Sequence, residues 1–477
     1  MRHLLFLIPA LLLLTAAKPD KNYYNEKYRP QFHFSPEKNW MNDPNGLVFY
    51  DGEYHLFYQY NPFGKEWGYM HWGHAVSKDL VRWEHLPIAI TPDESSTDKS
   101  RCTAFSGCAI VDENNVTGFR KGENKTLIIF YTSQDCGQRM AYSNDKGRTW
   151  VKYDKNPILP FANDDARDPK VFFHQPSGKW VMVLYRRPGN DEAKQGISIY
   201  NSSNLTDWEY QSHVEGFYEC PDLFELPLND NKSEKKWVLQ GADGSYYVGS
   251  FDGKTFSPET PMKKMDNGAN FYAAQTWSNH PEGKVVQIAW MKGGDYPDMP
   301  YNGQMNFPTE LTLRSTANGP VLLRNPVGTI ATLYDQSIKR SDKNYIPGLK
   351  YNLLGALKGD AFHIKAIFEI KSSDNFGFLI RSGKDAAGTE VRYETSKKML
   401  YANGLKMNIE PIDGKIEMEI LIDRSTIEIF CNGGENVLST YFQPEAGNDD
   451  LVLFTQGGEL LVKDLTVSKI RSAWVEK

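Results

Sequence analysis

Residues 127–150 read LIIFYTSQDCGQRMAYSNDKGRTW, and the recurrence of this pattern along the chain indicates the fold. The stretch opens with an apolar and aromatic run of strand length. The polar triplet Ser143-Asn144-Asp145, followed by Gly147, is typical of a turn, and Trp150 then begins a new strand-like segment. The stretch therefore predicts a small antiparallel sheet in which a polar turn is followed by a strand that begins at an aromatic residue.

The same pattern recurs through the first two-thirds of the chain. Strand-length apolar or aromatic runs occupy residues 54–60, 127–131, 180–185, 237–240 and 285–290. After each of the first four runs, a polar triplet leads to an aromatic residue, namely Trp83, Trp150, Trp208 and Phe256. Repeated small sheets of this size are the units of a β-propeller. We therefore predict a five-bladed β-propeller over residues 28–337, with a large sandwich of similar hairpins as the alternative.

The character of the sequence changes near residue 338. Residues 338–350 contain SDKN and PG, which are typical of a linker or turn. Beyond them, residues 415–420 and 424–430 alternate strictly between apolar and polar side chains, as half-buried antiparallel strands do. We therefore expect an all-β chain in which a propeller is followed by a linker at 338–350 and a C-terminal β-sandwich at 351–477 with a structural or ancillary role.

The first 17 residues indicate export. Arg2 and His3 precede the apolar run 4–14, and small residues follow it, which is the pattern of a secretory signal peptide. A membrane anchor is the weaker alternative, because a spanning helix needs about 20 apolar residues. We therefore expect a signal peptide at 1–17 and a secreted protein, extracellular or periplasmic, with no membrane span.

Composition and cysteine usage argue against several classes of function. The 477 residues include 54 Lys and Arg against 60 Asp and Glu, and this net charge of −6 does not suit a nucleic-acid binder. The five cysteines form no Cys-x-x-Cys pair, so structural zinc is not expected, although Cys102 and Cys108 are a conceivable disulfide. Nucleotide-binding, metalloprotease and serine-hydrolase motifs are absent from the sequence, and we expect neither a metal nor a cofactor.

Three acidic residues lie among glycine, proline and aromatic residues, each beside a strand-like run. They are Asp43 in WMNDPNG at 40–46, Asp168 in RDP at 167–169, and Glu219 in YECPD at 218–222. Any one of them could be a turn former that caps backbone amides. In a propeller, however, the first strand of each blade lines the central channel. Three such acids can therefore converge at one mouth of that channel.

Carboxylates and aromatic rings without a metal or cofactor favour glycoside hydrolysis. Cleavage of a glycosidic bond takes one carboxylate opposite the leaving group and one carboxylic acid that protonates it. Aromatic rings bind the C–H faces of sugars, and an acid buried near them has a raised pKa. The acidic segments therefore suggest an active site for a sugar substrate.

At these residues the sequence resembles glycoside hydrolase family 32, which includes invertases, inulinases and levanases. The matching segments follow in order through nearly the whole chain, at 40–46, 58–62, 72–77, 105–107, 167–169, 219–221, 271–275 and 423–425. The resemblance implies a five-bladed propeller followed by a β-sandwich, and hydrolysis with retention of configuration. It implies that Asp43 is the nucleophile that attacks the fructosyl C2, that Glu219 is the general acid/base, and that Asp168 stabilises the transition state by holding sugar hydroxyls.

The resemblance also implies a set of residues that shape the fructose pocket. They are Asn42, Gln59, Trp67, Phe105, Ser106, Arg167, Tyr272 and Trp290. Two positions depart from the family pattern, because Cys108 stands where Ser is expected and Asn270 stands where Asp is expected. Neither departure removes a catalytic group, but both bear on fine specificity.

The roles implied by the resemblance set the expected protonation states. Asp43 must be ionised, which hydrogen bonds from Asn42 and backbone amides would favour, and Glu219 must start protonated. Arg167 would keep the adjacent Asp168 charged and could hold sugar hydroxyls.

The expected function is release of fructose from the non-reducing ends of levan, inulin and sucrose. Residues 299–308 resemble exo-acting fructanases more than sucrose-only invertases. Three alternatives stay open: an endo-acting levanase or inulinase, a fructosyltransferase that passes the same intermediate to a sugar, and a fructan-binding protein on an inactive scaffold. The presence of all three acids argues against the last.

Overall fold

The computed structural model describes residues 23–93, 101–161, 164–294, 296–355, 357–383, 387–444 and 447–474. The predicted signal peptide at 1–17 lies outside the described residues. Within them, regular structure is almost entirely β-strand, and the helical segments are short 3-10 turns at Gln175–Ser177, Pro188–Asn190, Glu192–Lys194 and Gly328–Leu333. None of the helices in the described ranges is long and apolar enough to cross a membrane.

Five antiparallel units of four strands follow one another in chain order and form the blades of the propeller. Blade 1 comprises Asn39–Tyr50, Glu53–Asn61, His71–Ser77 and Trp83–Ile90, and blade 2 comprises Ala104–Asp112, Thr126–Ser133, Gly137–Ser143 and Val151–Lys152. Blade 3 comprises Asp165–His174, Lys179–Arg187, Gly196–Ser202 and Glu209–Glu215. Blade 4 comprises Asp222–Leu228, Asn231–Gln240, Ser245–Phe251 and Phe256–Pro258, and blade 5 comprises Tyr272–Thr276, Val285–Trp290, Thr309–Arg314 and Val321–Pro326. Two short strands, Lys263–Lys264 and Tyr301–Asn302, pair with blades 4 and 1 respectively.

The predicted five-bladed propeller is confirmed, and the five sequence runs are the second strands of the five blades. First strands of neighbouring blades contact one another around the channel. A single parallel pair, Leu228 with Leu313, joins blades 4 and 5 into one continuous sheet. The channel therefore presents the first strand of every blade to one central site.

The polar triplets close the turn between the third and fourth strands of a blade. In blade 2, Asp145 Oδ1 accepts hydrogen bonds from the backbone amides of Arg148 at 3.1 Å and Thr149 at 2.9 Å. Trp150 Nε1 donates to the Gly147 carbonyl at 3.1 Å, so the aromatic ring folds back over the turn. Asp79 and Asn204 accept equivalent amide hydrogen bonds in blades 1 and 3. The repeated polar triplets therefore form the turns by accepting hydrogen bonds from backbone amides.

The C-terminal region is a sandwich of two six-stranded antiparallel sheets. The first sheet is ordered Tyr334–Tyr345, Leu460–Ile470, Phe362–Ile370, Lys415–Ile422, Thr426–Cys431 and Asn436–Tyr441. The second is ordered Lys350–Asn352, Asp450–Gln456, Asn375–Ser382, Thr389–Glu394, Met399–Ala402 and Leu405–Asn408. The alternation predicted at 415–420 buries Ile416, Met418 and Ile420 in the core and leaves Lys415 and Glu417 exposed.

The interpretation of residues 338–350 as a linker is wrong for most of that segment. Residues 338–345 belong to the strand Tyr334–Tyr345, which pairs antiparallel with Leu460–Ile470. This strand lies at the edge of its sheet, and residues 341–344 are exposed. Polar residues are typical of exposed edge strands, and for this reason the segment resembles a linker in sequence.

The disulfide considered from the sequence, Cys102 with Cys108, is also wrong. Cys102 is bonded to Cys136, with their Cα atoms 5.5 Å apart. Cys108 is buried in the first strand of blade 2, where its Sγ accepts a hydrogen bond from the Val171 amide of blade 3 at 3.1 Å. Its replacement of the expected Ser therefore affects packing between two blades.

A buried histidine lies between two carboxylates where the sandwich meets the propeller. His33 Nδ1 is 2.9 Å from Asp423 Oδ2, and His33 Nε2 is 2.7 Å from Glu428 Oε2; all three side chains are fully buried. Burial alone would lower the pKa of His33, but hydrogen bonds to Asp423 and Glu428 raise it to about 9. The ring is therefore held as a cation between two anions.

The same two carboxylates hold backbone from the propeller side. Asp423 accepts hydrogen bonds from the amides of Gln31 at 2.8 Å and Phe32 at 3.0 Å. Glu428 accepts hydrogen bonds from Asn306 Nδ2 at 2.8 Å and the Phe307 amide at 3.0 Å. The sandwich thereby fixes the segment that leads into blade 1 and a segment of blade 5.

We predict that Asp423→Ala lowers the free energy of unfolding by about 3–5 kcal/mol, because it leaves the buried His33 side chain without one partner and removes the acceptor of the Gln31, Phe32 and His33 amides. Urea unfolding followed by tryptophan fluorescence measures the loss. Asp464→Ala, at an exposed position of the sandwich, is the control and should change the value by less than about 0.5 kcal/mol. Equal stability of the two variants would contradict the structural role of Asp423.

Candidate active site

All five blades supply residues to one mouth of the channel. Asp43, Ser106, Asp168 and Tyr272 lie on the first strands of blades 1, 2, 3 and 5. Glu219 lies three residues before the first strand of blade 4. The structure therefore brings together the three acids that are separated in sequence.

Irregular backbone aims these side chains into the channel. Asp168, Glu219 and Cys220 adopt positive φ angles of 65°, 51° and 42°. Such angles are uncommon for residues other than glycine and cluster at functional sites. The ladder of blade 2 also shifts register between Ala104 and Gly107, and a Cβ atom at Gly107 would lie 2.0 Å from the Phe130 carbonyl oxygen. Glycine is thus required beside Ser106.

Asp43 is held by a short chain of hydrogen bonds. Ser106 Oγ donates to Asp43 Oδ2 at 2.6 Å, and Asn42 Nδ2 donates to Asp43 Oδ1 at 3.1 Å. Gln59 Nε2 donates to Ser106 Oγ at 2.7 Å, and Trp40 Nε1 donates to Asn42 Oδ1 at 2.7 Å. Three of the predicted pocket residues therefore orient the Asp43 carboxyl group.

Burial raises the pKa of Asp43, and the nearby Glu219 charge adds to the rise. Hydrogen bonds from Ser106, Asn42 and Cys220 lower the pKa, but burial outweighs them. The donors to Asp43 are side chains of Ser106, Asn42 and Cys220. The expected contribution of Asn42 is present, whereas the principal donor is the Ser106 hydroxyl rather than a backbone amide.

Glu219 is held by an aromatic hydroxyl and a guanidinium group. Tyr272 donates its hydroxyl to Glu219 Oε2 at 2.5 Å, and Arg167 Nη2 donates to Glu219 Oε1 at 2.8 Å. The Arg167 guanidinium lies over the Tyr185 ring, 4.6 Å from its centroid, and also donates to the Tyr218 hydroxyl at 3.2 Å. Arg167 is thus fixed between aromatic rings while it contacts Glu219.

Asp168 is the most buried of the three acids in this cluster, at 5% exposure, and Cys220 N donates to its Oδ2 at 3.1 Å. Burial raises the pKa of Asp168 to about 7, and the charges of Glu219 and Asp43 add to the rise despite the opposing charge of Arg167. Arg167 Nε lies 3.9 Å from Asp168 Oδ2, and its charge lowers the pKa of Asp168 as expected, but burial has the larger effect.

Cys220 is a contact that sequence analysis missed. Its Sγ lies 3.5 Å from Asp43 Oδ2 and 3.5 Å from Asp168 Oδ2, so the thiol bridges the two acids. Burial raises the pKa of Cys220 well above its usual value, and the thiol is therefore protonated and a donor. The only signal in the sequence is its place next to Glu219.

The remaining predicted pocket residues are aromatic and differ in exposure: Trp67 is exposed, whereas Trp290 is buried. Trp67 is 55% exposed and packs edge-on against Phe105, with ring centroids 6.0 Å apart. Trp290 packs edge-on against Tyr272 at 6.3 Å and Trp40 at 6.0 Å. Trp67, Phe105 and Trp290 therefore join the site through ring contacts, whereas the other five predicted pocket residues join it through hydrogen bonds.

Asn270, the second departure from the family pattern, belongs to the contact with the sandwich. Its Oδ1 accepts from the Tyr441 amide at 3.0 Å, and its Nδ2 donates to the Lys292 carbonyl at 2.6 Å. The Lys292 ammonium lies 3.9 Å from the centroid of the Tyr272 ring. Asn270 therefore reaches the site through Lys292 and Tyr272. In the described ranges, no cluster of three or more His, Cys, Asp or Glu side chains is placed to hold a metal ion.

Comparison with known proteins gives matches over nearly the whole chain. Residues 33–326 match the N-terminal domain of glycosyl hydrolases family 32, and residues 329–469 match the C-terminal domain of that family. The chain is 40% identical to a levanase of Bacillus subtilis, over 99% of this chain and 74% of that protein. It is 32% identical to an extracellular exo-inulinase of Aspergillus ficuum, over 94% of this chain and 96% of that protein.

The crystal structure of an exo-inulinase from Aspergillus awamori superposes with a TM-score of 0.85. The two proteins are 31% identical, and the match covers 94% of this chain and 100% of that chain.

We predict that Asp168 makes the protein less stable as the pH rises from about 4 to 7. Because the folded pKa is about 7 and the usual value is 3.8, the folded state keeps a proton that the unfolded chain releases in this range. The difference in melting temperature between Asp168→Asn and the unmodified protein should therefore shift by a few degrees in favour of the variant as the pH rises from 4 to 8. Scanning calorimetry measures the difference, with the exposed Asp154→Asn as control. A pH-independent difference would contradict the raised pKa.

Proposed function

Because the chain belongs to glycosyl hydrolase family 32, we propose that it is a retaining β-fructofuranosidase that releases fructose from terminal non-reducing β-D-fructofuranosides. Its substrates are fructans such as levan and inulin, and sucrose. The observation that carries the proposal is the cluster of Asp43, Asp168 and Glu219, drawn from blades 1, 3 and 4 and joined through Cys220 and Arg167.

The reaction proceeds in two displacement steps. Asp43 attacks C2 of the terminal fructosyl unit while Glu219 gives its proton to the glycosidic oxygen, and the leaving sugar departs as an alcohol. Glu219, now ionised, then takes a proton from water as the water attacks C2 and releases Asp43. One contact supports a short separation of these groups: Asp43 Oδ2 lies 3.5 Å from the thiol of Cys220, the residue that follows Glu219 in the chain.

The other side chains hold and polarise the reacting groups. Ser106 and Asn42 donate to Asp43 and stabilise its charge when it leaves the covalent intermediate. Arg167 and Tyr272 both donate to Glu219 and orient its carboxyl group toward the glycosidic oxygen. Asp168 accepts hydrogen bonds from fructose hydroxyls and stabilises the oxocarbenium-like transition state.

Fructans as substrates and an extracellular location are supported by the names of the relatives and by the sequence pattern of the first residues. The compared proteins are named as a levanase, an extracellular exo-inulinase and an exo-inulinase. The basic start, apolar run and small residues within 2–17 have the pattern of a secretory signal peptide. We therefore place the enzyme outside the cytoplasm, where polymeric fructans are accessible.

The direct test is a product profile of the purified protein on sucrose, inulin and levan. The proposal expects fructose as the first and main product from all three, without a ladder of intermediate oligosaccharides. Early oligosaccharides would indicate endo action, longer fructosides from concentrated sucrose would indicate a transferase, and binding without any fructose release would contradict the enzymatic proposal.

We predict that Asp43→Ala and Glu219→Ala each lower kcat on sucrose by at least about a thousandfold, because each removes a group that acts on the reacting atoms. The two variants should differ on 4-nitrophenyl β-D-fructofuranoside, whose leaving group needs no protonation. Glu219→Ala should recover the first step on this substrate, seen as a burst of nitrophenol, whereas Asp43→Ala should not. Asp154→Ala is the exposed control. Near-normal sucrose activity in either variant would contradict its assigned role.

A further inference from the structure

Lys292 places a positive charge against the ring of an active-site tyrosine. It follows the second strand of blade 5, Val285–Trp290, and it is exposed. The ammonium nitrogen lies 3.9 Å from the centroid of the Tyr272 ring, well within the roughly 6 Å at which a ring face attracts a cation. The contact therefore joins an exposed cation to a residue of the candidate active site.

The tyrosine that Lys292 contacts holds the proposed acid/base. The Tyr272 hydroxyl donates to Glu219 Oε2 at 2.5 Å. Burial and the nearby Glu219 charge raise the pKa of Tyr272, so the hydroxyl keeps its proton and remains the donor. A cation on the ring face draws electron density from the phenol and makes its hydroxyl a stronger donor. A stronger hydrogen bond to the carboxylate favours the ionised form of Glu219.

Other groups act on Glu219 through different contacts. Arg167 Nη2 donates to the second carboxyl oxygen, Oε1, at 2.8 Å. Among the described residues, the other titratable groups that interact with Glu219 are Asp43, Asp168, Tyr218 and Cys220. Because Arg167 binds Oε1 and Tyr272 binds Oε2, Lys292 affects the carboxyl group through a hydrogen bond that Arg167 does not share.

The main chain at Lys292 is fixed by the sandwich. The Tyr441 hydroxyl, from the strand Asn436–Tyr441, donates to the Met291 carbonyl at 2.5 Å. Asn270 Nδ2 donates to the Lys292 carbonyl at 2.6 Å, and Asn270 Oδ1 accepts from the Tyr441 amide at 3.0 Å. A lysine side chain is flexible, so its ammonium keeps a position over one ring more readily where its main chain is held.

Asn270 suits this arrangement better than the Asp expected from the family pattern. A carboxylate has no hydrogen to donate, so an Asp at position 270 would face the Lys292 carbonyl with an oxygen atom. The amide of Asn270 instead donates to this carbonyl and accepts from the Tyr441 amide at the same time. The departure at position 270 and the contact of Lys292 with Tyr272 therefore belong to one arrangement.

We propose that Lys292 is a positioning residue for the acid/base: it holds the Tyr272 hydroxyl on Glu219 and favours the carboxylate form that takes a proton from water in the second step. This inference rests on the proposed function and adds a residue that sets the pH range of the enzyme. The first step needs protonated Glu219, so activity falls as rising pH ionises this group. Lys292 therefore places the alkaline limit of activity at a lower pH than it would have without the cation.

The test is the pH dependence of kcat/KM on sucrose, which reports the ionising groups of the free enzyme. Lys292→Met keeps an apolar side chain of similar length and removes the charge, whereas Lys292→Arg keeps a cation. Both variants replace an exposed residue and are expected to fold. Lys155→Met, at an exposed turn that follows the last strand of blade 2, is the matched control.

The alkaline limb of Lys292→Met should lie about half a pH unit above that of the unmodified protein, the effect of one charge across a partly solvated site. Lys292→Arg should restore most of the original position, and the control should not move it. An unmoved limb in Lys292→Met, or the same shift in Lys292→Arg or in the control, would overturn the proposal.

A double variant tests the route through the ring. In a Tyr272→Phe background, which lacks the hydroxyl, Lys292→Met should move the limb by less than half as much. An equal shift with and without the hydroxyl would overturn the role of Tyr272, because the charge would then act on Glu219 directly. If the unmodified protein released no fructose from sucrose, the proposed function would fail, whereas an active enzyme with an unmoved limb contradicts only the role of Lys292.

Discussion

The arrangement of the molecule depends on a buried cation held between two anions from the sandwich. His33 belongs to the N-terminal segment, and Asp423 and Glu428 belong to the sandwich, so their ion pairs close the contact between the two parts of the chain. The same carboxylates hold the amides that precede blade 1 and those of a blade 5 segment. Breaking such a buried set is costly because each remaining charge would lack a partner. The sandwich therefore holds the segment that leads into blade 1, which carries Asp43.

Within the propeller, burial and hydrogen bonds have opposite effects on the pKa values of the active-site carboxyl groups. The thiol of Cys220 contacts Asp43 and Asp168, and the guanidinium group of Arg167 contacts Glu219. Burial raises the pKa of both Asp43 and Asp168. Asp168, Glu219 and Cys220 adopt positive φ angles at the points where the chain enters the site.

Much of the fold follows from the sequence because its signals are local. The strand runs and polar turns repeat in each blade, and the acids Asp43, Asp168 and Glu219 stand beside recognisable strand entrances. The features that could not be predicted from the sequence are tertiary contacts. They are the disulfide between Cys102 and Cys136, the pairing of residues 338–345 as an edge strand, and the contact of Cys220 with two acids. Each depends on pairing or burial between distant segments.

In the proposed reaction a fructosyl unit is transferred to Asp43, and water then attacks C2 from the face that the leaving sugar occupied. The most direct measurement is the anomeric configuration, by NMR, of the methyl fructoside formed when the unmodified protein acts on sucrose in aqueous methanol. Methanol intercepts the covalent intermediate, and the product does not mutarotate. Two displacements at C2 predict methyl β-D-fructofuranoside. Formation of the α-anomer would contradict the double-displacement account.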